Sequence, residues 1–214
     1  MQSTATALSM CLVLVVVLAG VGAATTPTAS TAAISGEEVA QTATGGNCSF
    51  PVTRTDATGA KVTLKSEPQR IVTLSPSAAQ TLWEIGAKGK VVGLTKYAAY
   101  LDGAEKRTNI SGSGMQYANV EEVVGLEPDL VLAPNVIPNA TVRKLRSAGV
   151  TVFKFEEAKS IADVSQKTRL TGRLVGACAG ADTIATAMNR RVAAIREAIA
   201  DKPAPRVLFY LGGS

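Results

Sequence analysis

Ser75, Pro76 and Ser77 sit at the centre of RIVTLSPSAAQTLWEIG, residues 70–86, where an apolar run gives way to helical spacing. Two hydroxyls and a rigid ring at such a junction can do two things. Ser75 can cap the helix that follows, with Pro76 at its first position. The same group can meet a ligand, because open α/β sheets bind at the carboxyl ends of their strands. Covalent chemistry has less to work with. The chain has no histidine, which removes the usual serine–histidine and cysteine–histidine nucleophile pairs and any histidine-bearing zinc site. Its 3 scattered cysteines cannot close an all-cysteine tetrahedral site, so no metal is expected. No Walker loop or GxGxxG turn appears, and SGSGM lacks the spacing of a nucleophile elbow. These residues point to binding without a cofactor and away from an enzyme.

The junction needs a strand before it and a helix after it. Residues 70–74 supply the strand, Ala79, Leu82 and Ile85 recur at helical spacing, and Gly86 ends the helix. Upstream, residues 50–68 alternate around a turn at 56–59, which predicts a β-hairpin. Residues 91–94 form a second strand. The long loop 95–119 follows, and its glycines with Tyr97, Tyr100 and Tyr117 suit a ligand-facing surface. Asn119 and Glu122 have capping-box spacing ahead of the apolar face Val120, Val123, Val124 and Leu126. Residues 129–133 are a strand, Asn139 is placed to cap a helix over 140–148, and residues 150–155 are the next strand. This alternation predicts an α/β, Rossmann-like fold: a mainly parallel sheet with helices on both faces. Beyond it, residues 160–176 are helical. Glycines 172, 176 and 180 are spaced for close packing. Residues 181–200 form a long helix with Ile184, Met188, Val192, Ile195 and Ile199 on one stripe. Past Pro203 and Pro205, RVLFYLGGS reads as a new buried strand.

The 214 residues are 46% apolar, which suits a globular core, and carry a net charge of +5. The basic residues are scattered and only 4% of residues are aromatic, unlike a nucleic-acid binder. Residues 7–24 are apolar and uncharged, with small residues at their end but no basic start. Both a signal peptide and a membrane anchor fit, and both place the rest outside the cytoplasm. The Thr/Ala/Gly-rich segment 25–47 reads as a flexible linker. Asn47, Asn109 and Asn139 head glycosylation sequons. Cys48 and Cys178 remain beyond the apolar segment. An even pair outside the cell predicts a disulfide, the alternative being two unpaired small apolar residues.

The runs FPVTRTDATGAKVTLKSEPQRIVTLSPSAAQTLWEIGA, KVVGLTKYAAY, VEEVVGLEPDLVLAP, LRSAGVTVFKF and SIADV resemble the substrate-binding proteins of ABC importers. The subgroup is the one that captures vitamin B12, haem and iron-siderophore complexes, and the N-terminal texture is similar to archaeal cell-surface members. The resemblance spans residues 50–211. It implies two α/β lobes joined by a long rigid helix. Residues 1–24 are then the signal or anchor, 25–47 the linker and 48–160 the first lobe. Residues 161–202 carry the inter-lobe helix, and 203–214 the first strand of a second lobe otherwise missing. It implies a ligand face on Ser75, Pro76, Ser77, Tyr97, Met115, Gln116, Tyr117, Pro134 and Asn135, a corrinoid or ferric-chelate ligand, and an ABC permease as partner docked through Glu121. The competing reading is a cell-surface glycoprotein interaction module, using the linker and sequons.

Overall fold

A computed structural model describes residues 48–113 and 118–208. Residues 1–47, with the expected leader, linker and Asn47, lie outside the described residues. So do Met115, Gln116 and Tyr117, and the end of the expected tail strand, 209–214.

Alternation produces the hairpin where it is expected. Strands β1 (Val52–Thr55) and β2 (Lys61–Leu64) pair antiparallel, with Val52 opposite Leu64. Val52, Val62 and Leu64 face inward. The turn closes through Gly59, whose φ of 80° glycine adopts without a Cβ clash.

The sheet is built from β3 (Ile71–Thr73), β4 (Val91–Leu94), β5 (Thr108–Asn109), β6 (Leu130–Ala133) and β7 (Val152–Lys154) in the order β5-β4-β3-β6-β7. Every neighbouring pair is parallel. Its interior strands are apolar apart from the buried Thr73, because helices cover both faces. On one side α1 (Pro76–Glu84), α4 (Ile161–Val175) and α5 (Cys178–Ala198) bring Leu82, Leu174 and Ala181 onto Ile71, Leu132 and Phe153. On the other, α2 (Val120–Gly125) and α3 (Asn139–Ser147) bring Val123, Val142 and Leu145 onto Val72, Val131 and Val152.

Three local expectations are corrected. The loop 95–119 is not structureless: β5 pairs with β4, and buried Ile110 follows it. Two residues are too few to leave a periodic signal. Asn139 does not cap α3. Pro138 occupies that position without a side-chain bond, and Asn139 Oδ1 instead accepts from Lys154 Nζ at 2.6 Å. Lys154 is 9% exposed, and a buried ammonium needs an acceptor more than a helix end does. The capping box at α2 is only half made. Asn119 Oδ1 accepts from the N–H groups of Glu121 and Glu122, but the Asn119 N–H donates to Ile110 O, so the Glu122 side chain has no capping bond to make.

The helical region starts α5 at Cys178, earlier than the expected 181, so Gly180 lies in its first turn. A Cβ there would lie 2.1 Å from the Ile85 carbonyl oxygen, and one on Gly172 would lie 2.3 Å from Ala181 Cβ. Both glycines are therefore close-approach positions that seat α5 against α1 and α4, as the spacing predicts. Gly176, at φ 77°, ends α4 and is a close approach as well, since a Cβ there would lie 2.5 Å from Glu67 Cδ. Farther along α5 the stripe loses its cover: Ile195 and Ile199 are 59% and 55% exposed. The expected buried strand does not form over residues 206–208, where Val207 and Leu208 are exposed. A strand is stabilised by the neighbour it pairs with, and no described residue pairs with this one. A disulfide joins Cys48 to Cys178. No helix among the described residues is long and apolar enough to cross a membrane.

Candidate functional site

The order β5-β4-β3-β6-β7 means that the chain leaves β3 toward β4 on one side and later returns to place β6 on the other. That reversal opens a crevice at the carboxyl ends of β3 and β6. Ser75 lies there, 9% exposed. Its Oγ accepts from the Ala78 N–H at 3.2 Å, so it caps α1 with Pro76 in the first turn. Its hydroxyl also lies 3.2 Å from that of Ser77. Capping thus uses one lone pair of Ser75 and leaves both hydroxyls at the mouth of the crevice.

A cavity of about 230 Å³ opens at this point, lined by Ser75, Ser77, Pro134, Phe155, Lys167 and Thr168 among others. Three strand ends and one face of α4 meet in it. Of the expected ligand-face residues, the fold brings Ser75, Ser77 and Pro134 to this cavity. Pro76 shapes the turn without lining it, and Asn135 is exposed beside Pro134. Tyr97 lies just past β4, 67% exposed, with the Lys96 ammonium 5.3 Å from its ring centroid. It stands apart from the cavity. Trp83 is half-buried, and its indole N–H donates to Asp102 O at 2.7 Å, as suits a packed aromatic.

Phe155, Lys167 and Thr168 escaped sequence reasoning. Phe155 follows β7 directly, so the carboxyl-end rule applied to that strand would have found it. Lys167 and Thr168 carry no such signal, because which face of α4 turns inward depends on its packing against α1 and α5.

Beside this cavity, a second of about 360 Å³ is lined by Glu156, Glu157, Asp163 and Lys167 among others. The Lys159 N–H donates to Asp163 Oδ2 at 2.9 Å and holds that carboxyl below its ordinary range. The Asp163 N–H donates to Ser160 Oγ in return, completing the start of α4. Glu121 is exposed in the first turn of α2. Asn109 and Asn139 are exposed too; Asn109 Oδ1 accepts from the Ser111 N–H at 3.0 Å.

Known proteins share this arrangement. A family model described as periplasmic binding protein matches residues 71–214. A cobalamin-binding protein of Halobacterium salinarum is 50% identical over 195 residues, covering 90% of this chain and 53% of the relative. An uncharacterised ABC transporter substrate-binding lipoprotein of Bacillus subtilis is 35% identical over 151 residues, covering 69% and 47%. Among solved structures, the haem-binding protein HmuT superposes with a TM-score of 0.59 at 26% identity, over 71% of this chain and 48% of that one. The chain spans about half the length of the curated relatives it matches. With the parallel sheet, the crevice at its carboxyl edge and the family match in agreement, the chain belongs to the periplasmic binding protein family.

Proposed function

We propose that this chain is the substrate-binding component of an ABC importer, working outside the cytoplasm, and that its cargo is a corrinoid such as cobalamin or an iron chelate such as a siderophore or haem. The observation that carries the reading is the 50% identity, over 90% of the chain, to a protein named for cobalamin binding. The crevice supports it: hydroxyls at the carboxyl ends of parallel strands, next to apolar Pro134 and Phe155, suit a large ligand with a polar rim. Tyr97, exposed beyond β4, is free to lay its ring against such a ligand. Titration of the protein with cyanocobalamin, haemin and a ferric siderophore, read by quenching of Trp83 and tyrosine fluorescence, should give one saturable curve. Flat curves with all three would sink the reading.

Delivery requires a docking point, and Glu121 fits one, being exposed in the first turn of α2 and without an ion pair among the described residues. A carboxylate there would face arginines of the membrane permease. Glu121→Arg should cut uptake of the cargo roughly tenfold through like-charge contact while leaving ligand affinity unchanged. Equal uptake by both proteins would refute the docking role.

A further inference from the structure

We propose that Lys167 is a specificity-determining residue of the crevice, its ammonium receiving an anionic arm of the captured chelate, a carboxylate or a phosphodiester. The inference rests on the capture reading above and names the chemistry that this part of the site selects.

The cavity beside Ser75 and Pro134 measures about 230 Å³. That is below the roughly 300 Å³ at which pockets for whole ligands begin, so it is sized for one substituent and not for a macrocycle. Its lining includes four hydroxyl residues, Ser75, Ser77, Thr81 and Thr168, one cation, Lys167, and no carboxylate. Two of the hydroxyls have already given their protons: Thr81 donates to Ser77 O and Thr168 to Val164 O. The donors left for a guest are one proton of the Ser75–Ser77 hydroxyl pair, since one of these hydroxyls donates to the other, and the Lys167 ammonium. A site with donors, a cation and no acid favours an anion over a neutral amide.

Lys167 is also held in place for this task. Its ammonium lies 5.8 Å from the centroid of the Phe155 ring, which keeps the side chain along the wall that the two cavities share. Among the described residues it forms no ion pair. The acidic groups nearby line the other cavity: Glu156, Glu157 and Asp163. Asp163, one turn before Lys167, is occupied by the Lys159 N–H at the start of α4. The lysine therefore stands between a cavity of mixed charge, which Lys154 and Lys159 also line, and one in which it is the sole charged residue.

The test compares members with and without an anionic group in two ligand pairs, in the wild type, Lys167→Gln and Lys167→Arg. Cyanocobalamin carries a phosphodiester and dicyanocobinamide lacks it; haemin carries two carboxylates and its dimethyl ester none. Lys167→Gln should weaken binding of the member that carries the anionic group about tenfold, leave its counterpart within about twofold, and be rescued by Lys167→Arg. A loss confined to cyanocobalamin assigns the arm as a phosphodiester, and one confined to haemin assigns it as a carboxylate. Equal affinities in the wild type and Lys167→Gln, or equal losses on ligands with and without the anionic group, overturn the anion subsite while capture stands. A wild type that binds none of the four overturns capture itself and the subsite with it.

Discussion

Replacing Asp56 by asparagine should lower the stability of the protein by about 3 kcal/mol, because it breaks a buried charge pair. The Asp56 side chain is fully buried at the turn between β1 and β2 and is paired with Arg146 of α3. Its Oδ1 accepts from the Thr58 N–H at 2.8 Å and from the Thr58 hydroxyl at 2.6 Å, and its Oδ2 accepts from the Lys154 N–H at 3.0 Å. The Ala57 N–H in turn donates to Lys154 O at 2.9 Å. One carboxylate thus ties the hairpin to the edge strand β7 and to the end of α3, and it covers backbone that would otherwise be an open sheet edge. Asparagine keeps the Oδ1 bonds but turns an NH2 toward two donors. Thermal unfolding should show the midpoint falling by roughly 6–12 °C.

The same carboxylate makes the stability depend on pH with a definite sign. Burial alone pushes its pKa up, but the hydrogen bonds from Thr58, the Lys154 N–H and Arg146 outweigh burial and hold it below its ordinary 3.8. A depressed pKa in the folded state contributes stability that is present above 3.8 and lost as the pH falls through the folded value. Wild type should therefore lose stability more steeply than Asp56→Asn below about pH 4, and parallel acid limbs in urea titrations would contradict this.

What the sequence disclosed follows the reach of the interactions involved. Ser75 as a cap and Pro76 after it are local rules, and both appear. The parallel sheet was legible because burial on both faces leaves strands such as 130–133 without a polar residue. Ser75 and Pro134 meet at one cavity because topology alone sends β3 and β6 to the same edge. Long-range demands were illegible. Asn139 has the residue type of a cap, and only the buried ammonium of Lys154, on a strand that follows it in sequence, diverts it. Lys167 is one lysine among many until α4 is docked. Tyr97 shows the intermediate case: its place after β4 follows from pattern, but its distance from the cavity depends on a loop conformation that no period encodes.

Removing both disulfide cysteines, as Cys48→Ser/Cys178→Ser, should cost about 4 kcal/mol, the largest stability loss of any change considered. The bond closes a loop with a sequence separation of 130, and a loop of that length in the unfolded chain gives close to 5 kcal/mol on the chain-entropy account, with measured values commonly lower. Its position adds a local effect. Cys178 is the first residue of α5, and that helix has no side-chain cap at Ala177. The Cys178 N–H donates instead to Cys48 Sγ at 3.1 Å. Two residues on, Gly180 presses against the carbonyl of Ile85, a contact that only a fixed first turn can keep. The bridge therefore locks the root of α5 onto the core while the far half of that helix, with Ile195 and Ile199, stands uncovered. Each single serine variant should lose as much stability as the double variant, since either removes the whole constraint. Reductant should lower the wild-type midpoint by a similar amount and leave the double variant unmoved. Hydrogen exchange should quicken first at residues 178–181, and uniform quickening across the sheet would show that the bond holds the whole domain together and not the seat of this helix.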